Sequence, residues 1–61
     1  MELKITIQMD NAAFGDDGEL EAARILRRLA TDMEKYTLSY KDWVLMDTNG
    51  NKVGTAEVIQ D

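Results

Sequence analysis

A chain of 61 residues is one domain at most, here residues 1–61. It has no cysteine and no histidine, which removes disulfides, thiolate nucleophiles, cysteine zinc sites and the commonest general base. Twelve acidic against seven basic residues leave a net charge of −5, which excludes a uniformly basic nucleic-acid footprint.

The first segment, "ELKITIQM", alternates: Leu3, Ile5, Ile7 and Met9 point one way, and Glu2, Lys4, Thr6 and Gln8 the other. That spacing predicts a strand with one buried face. The acid at Glu2 and the alternation argue against a signal peptide. "DNAAFGDDG" reads as a loop whose Phe14 closes one end of the core. Asp16 and Glu19 have capping-box spacing, with Asp16 placed to accept from the helix start. The helix is expected from about Asp17 to Lys35. Ala22, Ile25, Leu26, Leu29, Ala30 and Met33 form its apolar stripe, which puts Leu26 and Leu29 in the core and Arg24, Arg27, Arg28 and Lys35 outside.

"YTLSYKD" links the helix to a hairpin of "WVLMD" and "VGTAEVI". The order is β-α-β-β. The fold class it predicts is α+β, one helix on a three-stranded antiparallel sheet of order 1-3-2, with 1-2-3 as the rival. Parity puts Trp43 and Leu45 on the helix side with Gly54, Ala56 and Val58, where Gly54 and Ala56 make room for the indole or the helix. Val44, Met46 and Val53 are then left on the outer face, with Ile59 at its margin. A second apolar patch on so small a domain reads as an interface, for a partner protein or for a homodimer.

"DTNGNKVG", Asp47 to Gly54, is the segment closest to a motif. Asp47, Asn49 and Asn51 match the first oxygen positions of a calcium loop. Lys52 stands where that loop needs Gly, however, and Val58 where it needs a bidentate Glu. Gly50 and Gly54 lack the spacing of a phosphate loop, and no helix follows. Asn49-Gly50 is instead a strong signal for a tight type I′ hairpin turn, with Gly50-Asn51 as a second register.

Other candidate groups are few. Arg24, Arg27 and Arg28 could contact phosphate, but pairs such as Glu21–Arg24 and Arg28–Asp32 explain them as a solvated face. Asp10, Asp16, Asp17 and Glu19 match no metal loop. Tyr36, Tyr40 and Trp43 could form an aromatic surface, with Tyr40 the better candidate for partner contact and Trp43 for the core. No catalytic, cofactor or metal site is expected, and one helix on three strands offers little concavity for an enzyme. No apolar run approaches the ~18 residues of a membrane span.

"MDNAAF", "ARILRRLA" and "DTNGNKVG" together resemble a group of very short proteins encoded by tailed phages and prophages. Ala56, where a bulky aromatic would be expected, and the 36–44 segment depart from that group. The resemblance implies a phage origin and a place in the host cell cytoplasm; it implies no activity and carries over no catalytic residue. The leading expectation is a non-enzymatic phage accessory protein that binds another protein, in its most specific form an inhibitor of a host defence or regulatory complex. A small nucleic-acid-binding module using the arginine stripe ranks behind it, as does a structural or assembly component of the virion.

Overall fold

The computed structural model describes residues 1–35 and 41–60. Its elements are β1 (Glu2–Ile7), α1 (Gly18–Lys35), β2 (Asp42–Met46) and β3 (Lys52–Ile59). The three strands form one antiparallel sheet of order β1-β3-β2, the expected 1-3-2 arrangement. β1 and β2 are therefore both edge strands. No helix among the described residues is long and apolar enough to cross a membrane.

The pairing follows the alternation of the sequence. Leu3, Ile5 and Ile7 lie opposite Val58, Ala56 and Gly54, and Trp43 and Leu45 lie opposite Ala56 and Gly54. Directly opposed residues point to the same face, so these side chains share the helix side. The core there consists of Phe14, Ile25, Leu29, Leu45, Val53 and Ala56, with Ile7, Ala13, Met33 and Trp43 packed against it. Phe14 closes the core as its isolation in a polar loop suggested.

Five local expectations change. Leu26 is not in the core but 42% exposed. The buried seam runs through Ile25, Leu29 and Met33 at i, i+4 and i+8, and Leu26 stands about 100° round the helix from Ile25. The helix packs chiefly on β2, so its flank toward β1 stands clear of the sheet. Val53 is not on the outer face but in the core, 5% exposed. The register slips between Leu45, opposite Gly54, and Met46, opposite Lys52, so Val53 is an extra residue on β3. Such a bulge breaks the period of two and turns its residue to the other face.

The turn is in the expected place but of another type. Gly50 alone has a positive φ there, 82°, while Asn49 does not, and type I′ needs both. Gly50 N donates to Asp47 O (3.1 Å) and Asp47 N to Asn51 O (2.9 Å), a three-residue loop ending on a left-handed glycine. The helix begins at Gly18, and its cap position falls at Asp17 rather than Asp16. No hydrogen bond joins the Asp16 carboxylate to the helix start; Leu20 N donates to the Asp17 carbonyl instead (2.9 Å).

Gly54 makes room for a backbone rather than for the indole or the helix. A Cβ there would collide with the Thr6 carbonyl oxygen and reach 2.9 Å from the Thr6 carbonyl carbon and 3.0 Å from Ile7 Cα. The β1 backbone passes too close to this position for a side chain.

Candidate functional site

The "DTNGN" loop is a latch. Asp47 is only 4% exposed. Its carboxylate accepts from Asn49 N (2.8 Å) and Asn51 N (2.9 Å), and from Asn11 Nδ2 (2.8 Å) and Asn51 Nδ2 (3.4 Å). The first two bonds hold the turn; the Asn11 bond ties it to the loop that carries Phe14. The amides, led by that of Asn51, hold the Asp47 carboxyl below its ordinary pKa. With its oxygens committed inward, Asp47 has little left for an ion. Asp10, Asp16, Asp17 and Glu19 do not converge either: among the described residues no three acidic side chains are placed to hold a metal.

A second tie joins the hairpin to the helix. Glu21, in the first turn of α1, accepts from Thr48 N (2.7 Å) and from Arg24 Nε (2.9 Å). Arg24 in turn donates to the Met46 carbonyl (3.2 Å). The Arg24 guanidinium is the main cause holding the Glu21 carboxyl below its usual range, and the same pairing raises the arginine. Arg28 bonds Asp32 at 3.2 Å. Two of the three stripe arginines are thus neutralised by the acids that their helical spacing predicts, which weakens the phosphate reading. Arg27 is exposed and makes no side-chain bond among the described residues.

These contacts frame a groove of about 280 Å³ between α1 and the β2 edge. Arg24, Arg28 and Asp32 line the helix side; Trp43, Val44 and Met46 line the strand side. The volume lies just under the ~300 Å³ at which small-molecule pockets begin. The Trp43 indole N–H is buried and has no partner among the described residues. Val58 N donates to Lys41 O (2.7 Å), and antiparallel pairing alternates. Trp43 and Leu45 therefore also direct their backbone groups to β3, whereas Asp42, Val44 and Met46 direct theirs outward along the groove.

The structure brings together residues that the sequence kept apart. Val44 and Met46 are exposed and share the groove with Arg24 and Arg28. Val53 is in the core and drops out of the proposed patch, Arg27 lies away from the groove, and Tyr40 and Tyr36 lie outside the described residues. Asn11, Glu21 and Asp47 were missed as a network. The one legible signal was Asp at the first position of a turn ending in Gly, which favours an Asx bond to the backbone two residues on. Comparison with protein-family models, with curated proteins and with solved structures finds no match to this chain.

Proposed function

We propose that this chain is a non-enzymatic binding module that acts on another protein, seated in the groove between α1 and the outer edge of β2. The observation that supports it is the convergence there of exposed Val44 and Met46 with Trp43, rimmed by Arg24, Arg28 and Asp32. Apolar centres with a charged rim, and aromatic and arginine anchors, are the usual composition of protein interfaces. The resemblance to short tailed-phage proteins makes a host protein the partner class. Inhibition of a defence or regulatory complex in the host cytoplasm is the most specific form of this reading.

The test is affinity capture from infected host cells with the wild type and with a Val44→Asp/Met46→Lys double variant. Both side chains are exposed, so the variant should keep its fold while losing the partner. Capture that is unchanged in the variant would refute the groove. Retention of DNA or RNA instead, falling steeply with added salt, would favour the nucleic-acid module. Co-purification with virions alone would favour the assembly component.

A further inference from the structure

The two edges of the sheet are guarded unequally. On β2, Arg24 covers the Met46 carbonyl. On β1, Gln8 N donates to Val53 O (2.7 Å), so by alternation Thr6, Lys4 and Glu2 also direct their backbone groups to β3. The amides and carbonyls of Leu3, Ile5 and Ile7 then face outward, and no described group bonds them. The same strand is bare on its inner face at all but Ile7. Leu3 and Ile5 remain 46% and 41% exposed although they point to the helix side. Leu26 stands exposed on the flank of α1 opposite Arg24 and Arg28, the flank nearer β1. Natural edge strands normally carry a bulge, a covering element, an inward charge or an edge lysine against pairing with another chain; among the described residues β1 has only the charges of Glu2 and Lys4 on its outer face.

We propose that a second copy of the chain covers this edge, β1 pairing antiparallel with β1 about a twofold axis at Leu3. The charges on the outer face choose the register. With Leu3 opposite Leu3 of the second copy, Glu2 of each chain faces Lys4 of the other. These are non-hydrogen-bonded pairs, where side chains come closest. Centring the axis on Lys4 would set lysine against lysine. Centring it on Ile5 would set Lys4 against Thr6 and Glu2 against Gln8, with no charge pair. In the Leu3 register the two Leu3 backbones exchange both hydrogen bonds. Leu3, Ile5 and Leu26 of both copies then lie on one continuous inner surface, and the two sheets become one of six strands. A twofold contact of this kind is self-complementary and closed.

The chain has no cysteine, so single cysteines report the register cleanly. Opposed residues of a hydrogen-bonded antiparallel pair have Cα atoms about 5.5 Å apart, within disulfide reach. Sedimentation equilibrium of the wild type should show a dimer at high micromolar concentration. Leu3→Cys should give a disulfide-linked dimer on mild oxidation, and Ile5→Cys should not. Leu3→Lys should be monomeric with an unchanged far-ultraviolet circular dichroism spectrum. Glu2→Lys should weaken the dimer about tenfold, because two attractive cross-strand contacts become repulsive. A monomeric wild type overturns the proposal. So does a dimer that survives Leu3→Lys but is lost in Met46→Lys, which would place the contact at β2. Linking through Ile5→Cys rather than Leu3→Cys overturns the charge-selected register.

Discussion

Replacing Gly54 with alanine tests the close approach of the β1 backbone to β3. The new methyl group would meet the Thr6 carbonyl and come within 3.0 Å of Ile7 Cα, and both are backbone. Backbone cannot swing aside as a flexible side chain can, so β1 and β3 must separate locally. Overpacking of this kind costs about 1–3 kcal/mol. An opposing effect comes from the unfolded state, where Gly→Ala at an ordinary φ stabilises by about 0.4–1 kcal/mol; Gly54 has no positive φ. The clash outweighs that gain, and a net loss of roughly 1–2 kcal/mol is expected. At roughly 0.05–0.15 kcal/mol per residue, a 61-residue domain has about 3–9 kcal/mol in all. The melting temperature should therefore fall by about 4–16 °C. Urea and thermal unfolding followed by circular dichroism measure this directly. If Gly54 existed to admit the indole, Trp43→Phe would relieve the alanine variant; here it should not. A Gly54→Ala protein as stable as the wild type, or one rescued by Trp43→Phe, would refute the reasoning.

Leu29→Ala should cost about 2–5 kcal/mol in urea unfolding, because the side chain is buried at the centre of the core. Leu26→Ala should stay within about 0.5 kcal/mol, since that side chain is exposed; equal losses at the two positions would show that the helix is rotated from its described face. Asp47 and Glu21 both have carboxyls held below their ordinary values, so their stabilising effect is full above the unfolded range of about 3.9–4.3 and is lost as pH falls through the folded values. The urea midpoint should therefore drop on acidification below that range, and Asp47→Asn should flatten the drop. A midpoint that does not change with pH in the wild type would refute the latch.

The order of elements and their pairing were legible from local chemistry. Alternation in "ELKITIQM" defines a strand and its inner face whatever surrounds it, because the period of two is a property of the extended backbone. The stripe on α1 and Asn49-Gly50 in the turn are equally local; the handedness of the β-α-β crossover then favoured the 1-3-2 sheet over its rival 1-2-3. The pairings Glu21–Arg24 and Arg28–Asp32 were legible too, since i+3 and i+4 neighbours meet on any helix.

Three features were decided only in the folded chain. Val53 reads as an outer-face residue until the hairpin closes on a three-residue loop and the bulge turns it inward. Leu26 belongs to the stripe by spacing, yet a helix set over β2 buries Ile25 and Leu29 and leaves Leu26 uncovered. The groove and the Asp47 latch join residues as far apart in sequence as Asn11 and Asp47, or Arg24 and Met46. No periodicity encodes such meetings, because they depend on where the helix lands on the sheet. The sequence by itself determined the order of the elements and the inner faces of β1 and of the helix stripe. The tertiary structure decided which of those faces were covered, because one 18-residue helix lying over one side of the sheet cannot also cover the other.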